Sequence, residues 1–312
     1  MSAEILFLND ASINRFSEWI HPNPMQTIEL NTKNGASCKI ALNGAHVFSW
    51  CTADGQEQLF LSRRTAWENN AAIRGGIPVI FPQFADMGPL VKHGFARSSV
   101  WHLLPDPFSD DADDSATVSC VRLCLTEQHL GDASEQRWDY RFHAELMVTL
   151  SDDALQLRLT VTNTDTRPIA FQSGFHPYFR IACRHPEVIG LRPTRCFDKL
   201  THQVGVQPDS AGMVITSAID TIYSQSQEDL VLNDHDRHVS IRRLGFQDTV
   251  VWTPWDGAGD LPDDLESGDG RLFLCVEPIN VDNKVQLAPG KKWIGDMCIT
   301  TKSGQTSSGK RM

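Results

Sequence analysis

Leu155-Gln156-Leu157-Arg158-Leu159-Thr160-Val161-Thr162 alternates apolar and polar side chains without a break. A period of two places every apolar side chain on one face of an extended chain and every polar one on the other, the pattern of a half-buried strand. Ser151-Asp152-Asp153 before it reads as a hairpin turn from a strand at 145–150, and Asn163-Thr164-Asp165 after it as the next turn, leading into a strand at 169–175. Working outward, the same signals predict strands at 26–30, 38–42, 46–51, 117–126, 238–243, 249–252, 271–277 and 295–301. One short helix is expected at 10–19, where Ile13, Phe16 and Ile20 form a weak stripe that Asp10 or Ser12 could cap. Many short strands without interleaved helices predict an all-β sandwich or barrel.

The chain has 312 residues, of which 41% are hydrophobic and 21% charged, an ordinary globular composition with ample apolar material for a core. Length alone allows about two domains or one large all-β domain, and no internal repeat or Pro/Gly-rich linker divides it. Lys and Arg number 28 against 39 Asp and Glu, a net charge of −11. That balance argues against a broad nucleic-acid surface, which needs clustered cations; any anionic ligand must be met by few, focused charges. The acidic run Asp110-Asp111-Ala112-Asp113-Asp114 reads as a solvated loop. No apolar stretch approaches the roughly 20 residues that span a bilayer. Ile5-Leu6-Phe7-Leu8, between Glu4 and Asp10, is too short for a signal-peptide core. Eight scattered cysteines with no Cys-x-x-Cys pair predict free, mostly buried thiols and a cytoplasmic location.

Five segments could carry chemistry. In Arg74-Gly75-Gly76-Ile77-Pro78, glycines let the backbone approach a ligand and an arginine can fork onto an oxyanion; a bulged strand entry with Arg74 at the surface is the other reading. Lys92-His93-Gly94-Phe95-Ala96-Arg97 gathers three cationic or potentially cationic side chains, which could focus an anion or simply answer nearby acids. In Gln172-Ser173-Gly174-Phe175-His176-Pro177-Tyr178-Phe179 an extended chain puts Phe171, Phe175 and Phe179 on one face. Gln172, Gly174, His176 and Tyr178 then share the other, with Gly174 leaving room for a ligand beside His176. A histidine packed over the core fits equally, and Pro177 marks a strand end. Glu277 closes the apolar run Leu272-Phe273-Leu274-Cys275-Val276. It either snorkels at a sheet edge or works in a cleft, where partial desolvation suits a general base. Asp220, before Thr221-Ile222-Tyr223, reads alone as a turn residue. Asp234-His235-Asp236-Arg237-His238 lies in a polar turn without metal-ligand spacing, and Cys120 and Cys124 read as core thiols. Phosphate loops, dinucleotide fingerprints and nucleophile elbows are absent.

In order along the chain, Arg74-Gly75-Gly76-Ile77-Pro78, His93-Gly94-Phe95-Ala96-Arg97, Phe175-His176-Pro177-Tyr178-Phe179, Asp220-Thr221-Ile222-Tyr223, Val250-Val251-Trp252-Thr253-Pro254-Trp255, Val276-Glu277-Pro278 and Leu287-Ala288-Pro289-Gly290-Lys291-Lys292-Trp293 together resemble the aldose 1-epimerase-like superfamily. Within it they are most similar to the hexose-6-phosphate mutarotases, or glucose-6-phosphate 1-epimerases. The resemblance covers about 26–301. It implies a large antiparallel β-sandwich (a galactose mutarotase-like supersandwich) with few short helices, as one domain over 1–302; the polar, small residues at 303–312 read as a disordered tail. It implies His176 as general acid and Glu277 as general base, with Arg74, Lys92, His93, Arg97 and Asp220 contacting the sugar. It further implies interconversion of the anomers of hexose 6-phosphates, chiefly glucose 6-phosphate, by a monomer that needs neither metal nor other cofactor and has no nucleic-acid or membrane partner. An epimerase of free galactose or glucose, or a non-catalytic sugar-binding module, are the alternatives; the cations Arg74, Lys92 and Arg97 favour a phosphorylated sugar.

Overall fold

The computed structural model describes residues 4–6, 25–105, 118–130, 138–191, 194–206, 212–226, 228–235, 237–255 and 261–303. The helix expected at 10–19, the acidic run at 110–114 and the tail beyond 303 lie outside these residues.

The described strands form sheets of four, eight and nine members, joined throughout by antiparallel pairs. Among the described residues helical structure is confined to short 3-10 turns such as Ala96–Ser98 and Asp269–Arg271. The fold is the all-β, antiparallel sandwich that the sequence predicts.

The nine-stranded sheet is built around the alternating segment. Strand Ala154–Asn163 pairs with Phe142–Leu150 on one side and with Lys292–Ser303 on the other. Leu155, Leu157, Leu159 and Val161 are fully buried. The opposite face meets solvent and is laced by polar contacts: Asp296 accepts from Arg158 Nε at 2.6 Å and from Gln156 Nε2 at 2.9 Å. The same parity places Cys120 and Cys298 on the outward face. All eight cysteines are free, but only Cys38, Cys124 and Cys275 are buried, a correction to the expectation of mostly buried thiols.

Across the core lies the eight-stranded sheet, which contributes Phe171, Phe175, Phe179, Leu274 and Val276 to the cluster that holds Leu155 and Leu157. Its other face is covered as well. Ile80, Phe84, Val250 and Ile279 form one patch there, and Phe60, Tyr178, Phe273 and Cys275 another. A strand buried on both faces is apolar at every position, which is why 272–276 reads as a run and not as an alternation.

That strand does not stop at Glu277, as the sequence suggests; it spans Phe273–Leu287 and passes through Pro278. Proline has no N–H to give to a ladder. Pro278 falls at the end of the flanking strand, opposite Phe175, the last residue of Ile169–Phe175. Ile169–Phe175 and Tyr178–Arg180 both pair with Phe273–Leu287, and His176-Pro177 lies between them. The register is the same on both sides of the break, with Gly174 opposite Ile279 and Tyr178 opposite Cys275. That register sets His176 across from Glu277. Strands 187–189, 195–198, 203–206 and 230–234 are not legible in the sequence: they are short, and Gln203–Val206 is a wholly exposed edge strand whose two valines are too brief an alternation to mark it.

The two-faced reading of 155–162 has a direct test. Leu157→Ala should cost about 2–5 kcal/mol, because it opens a cavity in a packed core. Thr162→Ala, on the solvent side of the same strand, should cost well under half of that. Equal shifts of the urea midpoint for the two variants would contradict the assigned faces.

Candidate active site

His176 and Glu277 meet on the outer face of the eight-stranded sheet, with His176 Nε2 3.3 Å from Glu277 Oε1. The broken strand makes this contact. At the break the His176 N–H donates to the Pro78 carbonyl at 3.0 Å, and the Tyr178 N–H donates to the Gly76 carbonyl at 2.9 Å. The backbone is thereby held by the segment at 76–80 while the imidazole stays over Phe273–Leu287. Tyr178 stacks on the imidazole with centroids 4.8 Å apart, and Trp252 and His93 meet it edge-on at 5.8 and 5.7 Å. Phe171, Phe175 and Phe179 point into the core, as alternation predicts. Gly174 serves a different purpose from the one expected. A Cβ there would lie 2.6 Å from the Ile279 side chain, so the missing side chain admits the neighbouring strand and leaves no ligand space.

Arg74-Gly75-Gly76 forms one wall. Gly76 has φ of +60°, and a Cβ would fall 2.3 Å from the Val47 carbonyl oxygen, so glycine is required where this segment threads past strand His46–Cys51. His46, fully buried and pushed down to about 3 by burial, is neutral and donates from Nε2 to the Gly75 carbonyl at 2.9 Å. Arg74 is therefore not a free surface residue. Its Nε donates to Asp264 Oδ1 at 2.9 Å and its Nη1 to the Tyr178 hydroxyl at 2.8 Å. Burial opposes its charge, but Tyr178 and Asp264 outweigh this and raise its pKa.

Lys92, His93 and Arg97 divide. The Lys92 ammonium is exposed and lies 4.0 Å from the equally exposed Asp86 carboxylate. His93 is buried, with its Nδ1 accepting from the Ala85 N–H at 3.3 Å. Burial, then the Arg97 charge, hold it well below the ordinary imidazole range. Arg97 donates from Nη2 to the Lys92 carbonyl at 2.9 Å. No carboxylate among the described residues forms an ion pair with it, and burial lowers its pKa.

Asp220 is not a turn residue. It sits inside strand Ile219–Tyr223, opposite Trp252. It accepts from Lys199 Nζ at 2.6 Å, and Lys199 lies over the Phe84 ring at 5.6 Å. Lys199, Asp264, Tyr178 and Trp252 thus belong to the site without having been assigned to it from sequence. Tyr178 and Trp252 fall inside motifs, whereas Lys199 and Asp264 lie in polar segments with nothing local to mark them.

Burial decides the protonation of the central pair. It raises the Glu277 pKa well above the carboxylate range, aided by Asp220 and opposed by Lys199. It lowers the His176 pKa well below the imidazole range, aided by Arg74 and Arg97. Both shifts favour the state in which the pair holds one proton and carries no net charge. Glu277 Oε2 and His176 Nδ1 are buried and have no hydrogen-bond partner among the described residues. Cys275 Sγ completes a group with His176 and Glu277 whose ligating atoms all lie within 4.8 Å of one another, the one such group of metal-capable side chains among the described residues.

A buried carboxyl–imidazole pair thus lies among aromatic rings, within the field of Arg74 and Arg97 and of the Lys199–Asp220 pair. Residues 26–300 match the sequence family described as Aldose 1-epimerase, and the chain belongs to that family. A protein of Cenchrus ciliaris named "Putative glucose-6-phosphate 1-epimerase" is 30% identical over 297 residues, covering 93% of this chain and 88% of its own. The Escherichia coli K12 protein of the same name is 28% identical over 252 residues, covering 76% and 77%. In fold, the chain is similar to the crystal structure of a "putative mutarotase" from Salmonella typhimurium, with TM-score 0.77, 23% identity, and coverage of 89% of this chain and 91% of that one. It is also similar to a galactose mutarotase-like protein from Clostridium acetobutylicum, with TM-score 0.68, 15% identity, and coverage of 91% and 97%. Among the described residues no helix is long and apolar enough to cross a membrane.

The burial of Glu277 has a signature in stability. A carboxyl whose folded pKa is raised contributes stability that is complete below its unfolded pKa, about 4.5, and is lost as pH rises through the folded pKa. Glu277→Gln removes this titration. The melting temperature of the variant relative to the parent should therefore climb as pH rises above about 4.5. Parallel melting curves for the two proteins from pH 4 to 9 would show that Glu277 is not desolvated.

Proposed function

We propose that this chain interconverts the α and β anomers of hexose 6-phosphates, chiefly glucose 6-phosphate, with Glu277 as general base and His176 as general acid. The observation that carries this reading is the 3.3 Å contact between His176 Nε2 and Glu277 Oε1 in a buried spot where Oε2 and Nδ1 have no hydrogen-bond partner among the described residues. In this mechanism Glu277 takes the proton of the C1 hydroxyl while His176 gives a proton to the ring oxygen, and the C1–O5 bond opens. The pair then stands as Glu–COOH and neutral imidazole, the tautomer that burial favours. Rotation about C1–C2 presents the other face of the aldehyde. Closure returns the proton from Glu277 to the C1 oxygen as His176 recovers its own. One proton shared by two residues is enough for both directions.

The cations favour a phosphorylated sugar. Arg74 is occupied by Asp264 and Tyr178, whereas Arg97 bonds only a backbone carbonyl among the described residues and has a guanidinium to offer. Both arginines depress the His176 pKa. A phosphate dianion beside them would offset that field and promote the protonated imidazole that ring opening requires. In this reading Asp220, held by Lys199, accepts from a sugar hydroxyl.

Two measurements test this reading. In a coupled assay of anomer exchange, His176→Ala and Glu277→Gln should each lose about 10²–10⁴-fold. Arg97→Gln should weaken use of glucose 6-phosphate by about 10- to 100-fold, the worth of a charge-assisted contact, and change free glucose far less. Equal losses on both sugars would transfer the activity to free aldoses, and a saturable sugar-binding curve without exchange would make the chain a binding module. The pH profile is the second measurement. States with two protons or none on the pair carry a buried net charge, so both limbs move outward from the ordinary carboxylate and imidazole values, and they belong to the pair. Turnover should hold at pH 8; a loss by half near pH 6.5 would show that the imidazole titrates as an exposed group.

A further inference from the structure

We infer that His176, Cys275 and Glu277 form a binding site for one thiophilic divalent cation of the zinc class, which shuts the site to sugar.

The geometry comes first. A tetrahedral zinc ion holds nitrogen and oxygen ligands at about 2.0–2.1 Å, which places those two atoms about 3.4 Å from each other. His176 Nε2 and Glu277 Oε1 already stand 3.3 Å apart. A thiolate at about 2.3 Å would sit about 3.6 Å from each of them. All three ligating atoms lie within 4.8 Å of one another, so the thiol has to close by only about an ångström. The third donor is present because Cys275 and Glu277 are two residues apart on one strand and project to the same face, while His176 is the cross-strand neighbour of Glu277.

The charge balance favours the ion in a dry place. Without metal the thiol is protonated and the His176–Glu277 pair holds one proton, so the three groups are neutral. Binding releases both protons. M²⁺, one thiolate and one carboxylate then sum to zero, with the imidazole neutral and protonated on Nδ1. The aromatic surroundings of Tyr178, Trp252 and Phe273 thus face a neutral group before and after binding. Three protein ligands leave a fourth position open. The bound ion occupies the atoms assigned above to the acid and the base, so its inhibitory consequence rests on the proposed epimerase reading, whereas the binding itself does not.

The test uses the whole chain. Zinc chloride should bind one to one in calorimetry, with two protons released per ion in weakly buffered solution. Cobalt(II) should give a thiolate-to-metal absorption in the near ultraviolet and the intense visible bands of a tetrahedral site. Cys275→Ala should weaken zinc at least tenfold and abolish the cobalt–thiolate band while leaving anomer exchange in metal-free buffer intact. Cys275→Ser, closer in volume, should do the same and guards against a folding defect. Unchanged zinc affinity in both variants, or a cobalt complex without a thiolate band, would overturn the site. Because these readouts involve no turnover, they decide the metal site even if the epimerase reading fails.

Discussion

A carboxyl and an imidazole are held 3.3 Å apart under aromatic rings, and a buried pair of this kind is inexpensive only while it carries one proton and no net charge. The surrounding structure serves that condition. A strand covered on both faces supplies Glu277 from a setting with no water to solvate a carboxylate. The interrupted neighbour supplies His176 at the matching register. By register Pro278 lies opposite Phe175, the last residue before the His176-Pro177 break, so the two strands lose regular pairing at adjacent positions.

The charges around the pair are graded by how fully they are already engaged. Arg74 is bound to Asp264 and Tyr178, which makes it a brace for the wall as much as a contact for an anion. Arg97 is bound only to a carbonyl among the described residues, and Lys92 leans toward solvent beside Asp86. On the far side Lys199 and Asp220 neutralise each other while acting in opposite directions on Glu277. A net charge of −11 on the whole chain is therefore compatible with a site whose surroundings are locally cationic.

Legibility in the sequence followed solvent. Strands with one wet face, such as Phe142–Leu150 and Ala154–Asn163, announce themselves by alternation because water selects every second side chain. The strand buried on both faces shows as an apolar run, but its end is hidden, because Glu277 and Pro278 look like a terminus to any local rule. Asp220 looked like a turn residue for the same reason: a charged side chain inside a strand makes sense only once Lys199 is seen beside it. Gly174 read as space for a ligand, and that space belongs to Ile279.

By itself the sequence determined the fold class, the family, and the residue types on which the proposed chemistry rests, since periodicity and ordered motifs are properties of the chain read in one dimension. Only the tertiary structure decided which of those residues meet. His176 and Glu277 are 101 positions apart, and Arg74 and Asp264 are 190. Their encounters depend on register across a broken strand and on a loop that threads between two others. It also decided the protonation of the pair, because a pKa is set by burial and neighbouring charge, and neither exists until the chain has folded.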